Sequence, residues 1–562
     1  MSSSVRRASG IRASVSAAMS REYSSAQPMT CRLSAMSRFE WGDEVVREDP
    51  FLVYAQRRRR LPQLLLDAAR WGGKVHLVQG ERELTFDDTF AAIGAVARHL
   101  REDHGVRPGD RVLILAANSP EWVVSLWAGL AVGAIVAPGN GWWSEEEVEH
   151  ALRLVEPTLV IGDARRLEKV AAGTPTIDVA TLRPIVDGAT GGAAALGELA
   201  LEGDETDPAL IVFTAGTTGL PKGATLAHRS WIATMHQSLA VSRRLPHTLP
   251  DDAGFVSLLT GPLFHIGGLQ ALGLALLGGG KLCFLEGRFD PGQVLEVIER
   301  HRVEVWGAIP TMTIRVLEHP SIGERDLSSM RSVPLGGAPV SPELLERIQQ
   351  AFPNTRRRVT NVYGMTETSG TLAAASGRLM AEHPGTTGAP LPLVELVIAE
   401  PDADGVGEVL ARTPGQMLGY WRDDEATAGI IDADHFVHTG DLGRLVDGRL
   451  SITGRSKDIV IRGGENIAAP HVESVLHEHP DVADVAVVGL PHPDLGEEVA
   501  AAVRLRPGAT ADVEALTAYA RERLASFSVP SAWWLSDDEL PMTDAGKADK
   551  KRLRAIFPRD GA

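Results

Sequence analysis

The sequence predicts an α/β protein with a large N-terminal region of βαβ-layered sheets, a β-rich subdomain and a small α+β piece at the C-terminus. Three observations predict it. From about residue 60 to 240, and again after 255, segments of helical period alternate with short apolar runs, the pattern of βαβ units and parallel strands. After about 385 the helical period thins while Gly, Pro and Asp rise. A second change near 454–458 opens a stretch of roughly 100 residues with strands and helices of its own.

In order, Phe86 to Glu102 has the apolar spacing of a helix, and Arg111 to Ala116 reads as a buried strand. Ser119-Pro120 pairs an N-cap with a first-turn proline and launches the next helix. Thr158 to Gly162, Ala209 to Phe213, Phe255 to Leu259, a stretch near 282–285, Val303 to Trp306 and a run ending at Leu335 are strands. Asp290-Pro291 and Ser341-Pro342 start helices. Several strands end in Gly, His or Thr, at the edge where open α/β sheets bind ligands. In the C-terminal piece, strands are expected near Val485–Gly489, Val499–Arg504 and Ala532–Leu535, and helices near 470–478, 512–524 and 547–556.

At 562 residues, 44% apolar and 23% charged, the chain has the composition of a multidomain enzyme rather than a low-complexity polymer. Its net charge of −17 argues against nucleic-acid binding, which calls for a basic face. Two cysteines, Cys31 and Cys283, exclude a disulfide framework and a cysteine zinc site and point to a reducing cytoplasm. The longest apolar runs, Trp122 to Pro138 and Ile266 to Gly280, are too short for a comfortable membrane span and read as buried helices. Residues 1–38 are rich in Ser, Ala and Arg, with Glu22 the single acid. That suits a transit peptide, or a disordered tail upstream of a true start at Met19, Met29 or Met36; the second reading is preferred.

The strongest local signal is Phe213 to Gly223, FTAGTTGLPKG, directly after the strand Ala209 to Phe213. Glycines let backbone N–H groups close on an anion, and threonine hydroxyls and a lysine add donors, so the loop suits polyphosphate. It is not a Walker A loop: Pro221 stands where the second glycine belongs, and Gly223 where the metal-binding hydroxyl belongs. Four further segments carry chemistry: Asn361 to Thr368 (NVYGMTET), Val437 to Asp441 (VHTGD), Gly454 to Asn466 (GRSKDIVIRGGEN) and Pro541 to Lys547 (PMTDAGK). Each alone has a plain structural reading as a turn, a cap or a solvated lysine face.

In this order the five segments resemble the adenylate-forming superfamily of acyl-CoA synthetases, adenylation domains and beetle luciferases, over about residues 45 to 560. The resemblance implies an AMP-binding domain over 39–456, a hinge at Lys457 and a mobile C-terminal domain over 458–562. It implies that Thr214, Gly216, Thr217, Thr218, Gly219 and Lys222 bind the β- and γ-phosphates of ATP. Gly336, Gly337 and Ala338 would line the adenine, with Tyr363 stacked on it. Thr366 would meet the α-phosphate, Glu367 would hold Mg²⁺, and Asp441 and Arg455 would take the ribose. Lys547 would bridge the carboxylate and the α-phosphate as they react. After rotation of the small domain, Arg462, Gly463, Gly464 and Glu465 would line the path of CoA.

The resemblance also speaks to the acid. His265, in Pro262 to Gly268, stands where amino-acid-activating members carry Asp, so an amino acid is not the expected substrate. His265, Trp306, Gly307, Gly336, Val362, Gly364, Met365 and Thr371 are the implied pocket walls. None of them is a carboxylate or a lysine or arginine, which favours a largely apolar medium or long acyl chain or a bulky ring acid. Three positions depart from the family pattern: Ala215 replaces a usual Ser, Ser528 a frequent Lys, and Thr413 to Trp421 is a loose glycine-tyrosine-tryptophan segment. The expected activity is therefore formation of an acyl-AMP from ATP and thioesterification with CoA, in the cytoplasm and without membrane insertion. Transfer to a carrier protein or an amine, a non-catalytic binding role, and a homodimer stay open.

Overall fold

A computed structural model describes residues 39–557, apart from 198, 215–219, 337–339, 341, 356–358, 456–458, 463–464, 493–494, 525 and 544–546. The N-terminal stretch 1–38 thus lies outside the described residues.

Two sheets of mixed direction carry the nucleotide half of the chain. The first has seven strands in the order Gly419–Tyr420, Lys222–Ala227, Pro208–Thr214, Ile135–Pro138, Arg111–Leu115, Leu159–Gly162 and Thr176–Asp178. From Pro208–Thr214 to Thr176–Asp178 its neighbours run parallel, linked by helices, and the inner strands Ile135–Pro138, Arg111–Leu115 and Leu159–Gly162 are almost wholly apolar because both faces are covered. The second has five strands in the order Val305–Gly307, Val256–Leu259, Lys281–Phe284, Val75–Gln79 and Arg82–Thr85. Two four-stranded sheets follow, the second built from Glu395–Ala399, Gly407–Arg412, Val437–Val446 and Arg449–Arg455, the β-rich region expected after 385.

Local chemistry sets the helix starts. Thr85 and Asp88 form a reciprocal capping box at Phe86–Glu102, and Ser119 accepts from Trp122 N at Pro120–Ala131. Asp290 does the same for Pro291–His301. The C-terminal elements fall where expected: Val482–His492, Gly496–Leu505 and Ala532–Ser536 are strands, and Ala469–His477, Val513–Arg523 and Lys550–Ile556 are helices. One expectation is corrected. The run Trp122 to Pro138 is not a single helix but the end of Pro120–Ala131 followed by the strand Ile135–Pro138. Gly133, at φ 82°, turns the chain between them, a conformation an L side chain resists. Ile266–Gly278 is a helix, as expected.

Among the described residues no helix is long and apolar enough to cross a membrane.

Candidate active site

The phosphate-loop segment is a hairpin connection rather than a strand-to-helix turn. Pro208–Thr214 returns antiparallel as Lys222–Ala227, with Lys222 opposite Thr214. Gly216, Thr217, Thr218 and Gly219 lie outside the described residues, as do Gly337 and Ala338. Lys222 Nζ lies 3.7 Å from Asp423 Oδ2 and 5.1 Å from the centroid of the Tyr420 ring.

The second element is the strand pair Val359–Met365 and Gly370–Ser376, joined by a short 3₁₀ turn at Thr366–Thr368. Gly364 faces Gly370 so closely that a Cβ would meet its carbonyl oxygen at 1.9 Å. That approach puts Thr366 and Glu367 at the strand end. Glu367 is 8% exposed; its Oε1 accepts Tyr420 Oη at 2.8 Å, and its carbonyl accepts Met417 N. Burial, and then the neighbouring Glu367 charge, raise the Tyr420 phenol above its ordinary pKa. Gln270 donates to Ser369 O at 3.1 Å and ties this turn to the helix Ile266–Gly278.

The third is Asp441, 3% exposed, whose N–H donates to Thr439 Oγ1 and whose Oδ2 accepts Tyr363 Oη at 2.8 Å. Strand register sets Arg455 opposite it. Tyr363 is thereby clamped edge-on by a hydrogen bond, with its ring against Leu372, Val394 and Ala411.

The fourth is the loop before Ile266–Gly278. Asn118 reaches it from across the sheet, donating to Gly261 O and accepting from Leu263 N, both at 2.9 Å. The loop presents His265, whose Nε2 is buried without a partner. Burial foremost, and the nearby Lys547 charge, push the imidazole down to about 4, so it is neutral at neutral pH. Thr543 N donates to the Lys547 carbonyl at 2.6 Å.

Thr214, Lys222, His265, Gly307, Gly336, Val362, Tyr363, Gly364, Met365, Thr366, Glu367, Thr371, Asp441 and Lys547 line one continuous cleft of ≈ 4020 Å³. Trp306 does not join them and is a correction. It is 0% exposed, its indole N–H donates to Thr260 Oγ1 at 3.1 Å, and its ring packs on Phe352 in the core. Strand alternation turns Val305 and Gly307 to the cleft and Trp306 away from it. Arg462 Nη1 donates to Phe527 O at 2.8 Å. Gly463, Gly464 and Lys457 lie outside the described residues, and Glu465 is described only as the strand partner of Arg462. Tyr420, Asn118 and Gln270 had no role in the sequence reading. Tyr420 alone left a trace, the glycine-tyrosine-tryptophan segment.

The AMP-binding enzyme family matches residues 66–421, and the AMP-binding enzyme C-terminal domain matches 471–547. The chain belongs to the AMP-binding enzyme family. A feruloyl-CoA synthase of Amycolatopsis is 33% identical over 85% of this chain and 95% of its own length. A methyl-dioxo-octahydroindenyl-propanoyl:CoA ligase of Mycobacterium tuberculosis is 37% identical over 80% and 90%. The crystal structure of ATP-bound MatB from Rhodopseudomonas palustris superposes with a TM-score of 0.77 at 28% identity, over 87% of this chain and 98% of that one. Within the AMP-binding family this chain is an acyl-CoA synthetase, an acid–thiol ligase that takes a carboxylic acid, ATP, Mg²⁺ and CoA. The residues present fit Mg²⁺. Among the described residues no three His, Cys, Asp or Glu side chains form a metal site by themselves, while Glu367 offers a pinned carboxylate. Mg²⁺ suits such a place, because it binds through one or two carboxylates and substrate phosphates.

Proposed function

We propose that the protein activates a largely apolar carboxylic acid, ring-bearing acids foremost, as its acyl-AMP with release of pyrophosphate, and then transfers the acyl group to CoA with release of AMP. The observation that carries this reading is the one cleft that Lys547 and His265 share with Gly307, Gly336, Val362, Gly364, Met365 and Thr371, none of which is charged. Uncharged walls beside a lysine suit a substrate with a single anionic head and an apolar body. Gly307, where an added Cβ would meet nothing within 4 Å, leaves width for a ring, and two relatives are named for ring acids.

In this reading the substrate carboxylate, already ionised at neutral pH, attacks the α-phosphorus, and no general base is needed. Lys547 offsets charge that grows on the α-phosphate oxygens, and Thr366 donates to them. Lys222 and the threonines at 214, 217 and 218 hold the leaving pyrophosphate. Asp441 accepts from the ribose hydroxyls beside Arg455, and Tyr363 with Gly336, Gly337 and Ala338 bounds the base. Bound Mg²⁺, held at Glu367, supplies positive charge to the phosphates. A neutral His265 leaves the carboxylate unpaired with a second cation, so its nucleophilicity is kept.

The thioesterification step would use the same cleft after the domain 458–562 turns about Lys457 against 39–456, bringing the Arg462 to Glu465 segment towards the thiol. The cytoplasm is the proposed compartment, supported by the two-cysteine composition, Cys31 and Cys283, which suits a reducing environment.

Pyrophosphate release over fatty, aryl, dicarboxylic and steroid-like acids, with and without CoA, tests the proposal. Ring and long-chain acids are expected to release pyrophosphate, and CoA to release AMP from the acyl-AMP. Acyl-AMP that accumulates with CoA present would overturn the acceptor, and silence across the panel would overturn the activity.

A further inference from the structure

A phenol outside the five motifs joins the two ends of the nucleotide cleft. Tyr420 sits on the two-residue edge strand Gly419–Tyr420, opposite Ala224 of the strand Lys222–Ala227. Its segment is pinned independently on both sides. Trp421 N donates to Gly223 O and Leu418 N to Thr225 O on the phosphate-loop strand, while Met417 N donates to Glu367 O. Tyr420 N donates to Thr427 Oγ1 at 2.8 Å, and Thr427 packs so close to Gly419 that a Cβ there would meet its methyl at 2.7 Å. The backbone under the phenol is therefore held before the side chain makes any bond.

The side chain then makes two contacts. Its hydroxyl donates to Glu367 Oε1 at 2.8 Å, and Lys222 Nζ lies 5.1 Å from the ring centroid. Lys222 is the first residue after the phosphate loop, and Glu367 the carboxylate of the 3₁₀ turn.

We propose that Tyr420 is a positioning residue for adenylation, which fixes the Glu367 carboxylate for the metal and couples it to Lys222 at the end of the phosphate loop. The inference rests on the reading that Glu367 holds Mg²⁺. A carboxylate on a short turn has free side-chain torsions, and ordering them on binding weakens the complex. A hydrogen bond from a phenol to one oxygen removes that freedom in advance, and a bond to a charged acceptor is among the stronger ones.

The test is calorimetric titration of ATP into the full-length protein, with and without Mg²⁺, on the wild type, Tyr420→Phe, Glu367→Gln and the double variant. Phe keeps the ring under Lys222 and removes only the hydroxyl. Tyr420→Phe is expected to raise the ATP dissociation constant roughly tenfold with Mg²⁺ and to leave the metal-free constant within about twofold. The Mg²⁺ concentration for half-maximal pyrophosphate release should rise by a similar factor. In the Glu367→Gln background the added Phe should cost nothing more. Equal weakening with and without metal, unchanged Mg²⁺ dependence in Tyr420→Phe, or additive losses in the double variant would overturn the inference. A wild type that binds ATP equally well with and without Mg²⁺ would instead overturn the metal reading of Glu367, and acyl-AMP formation on the acid panel would separate that result from a failure of the proposed activity.

Discussion

At the residue scale, Lys547 is the sharpest point of the proposed chemistry. Lys547→Ala should lower acid-dependent pyrophosphate release by about 10²–10³, the loss typical of one charge-stabilising donor. Thioesterification of a supplied acyl-AMP should stay within about threefold, since the proposed rotation of the small domain withdraws Lys547 before AMP leaves. Pyrophosphate and thioester assays on the same preparation check both halves, and equal loss in both would contradict the role. Gly364→Ala is expected to destabilise by more than about 2 kcal/mol in urea denaturation, because its Cβ would have to displace the Gly370 backbone. Much of the cleft was legible because the chemistry demands particular residue types in one stretch: Glu367 three residues after Gly364, Asp441 after Gly440, Lys547 after Gly546. Tyr420 and Asn118 were not, since each acts on partners 53 and 143–145 residues away, a relation that no local spacing encodes. Trp306 was misjudged for a related reason. Its strand has only three residues, too few for alternation to reveal which face each takes.

At the element scale, helix starts were legible where a side chain caps its own helix, as Ser119 and Asp290 do. The run Trp122 to Pro138 defeated that logic because a buried helix and a buried parallel strand are equally apolar all round. Contacts between the large and small domains were invisible in the sequence. Arg315, in the helix Pro310–Leu317, pairs with Glu539 at 2.7 Å, and Arg506 lies 3.7 Å from Glu343 and 3.9 Å from Glu318. Both Arg315 and Glu539 are substantially exposed, so the pair is worth only about 0–1 kcal/mol and would oppose the proposed domain rotation little. Charge reversal at Arg315→Glu should nonetheless lower the adenylation rate about three- to fivefold relative to thioesterification, and Glu539→Arg added to it should restore the ratio. Stopped-flow measurement of the two half-reactions, at low and high salt, checks this; the effect should shrink with salt.

At the scale of the whole molecule, four buried histidines make stability depend on pH. His76, His236 and His265 are lowered to about 4 and His228 to about 3, with burial the first cause in each. Their folded pKa values lie below the ordinary 6.5, so the unfolded chain binds more protons and stability rises with pH. Their contribution is complete above pH 6.5 and is lost as pH falls towards 4. The urea midpoint should therefore hold between pH 7 and 8 and drop from 6.5 to 5, ahead of most carboxylate titration. His228→Asn, which can still accept from Leu61 N, should flatten that slope by about one proton. The edge strand Gly419–Tyr420 has a different kind of consequence, one of timing. Ala224 waits for Tyr420, so during synthesis the strand Lys222–Ala227 stays an open sheet edge while nearly 200 further residues are made. At about 5–20 residues per second that is roughly 10–40 s of exposed, unpaired backbone. A chain that stops before residue 419 never closes the sheet, and its natural fate is pairing with another such chain rather than a smaller working enzyme.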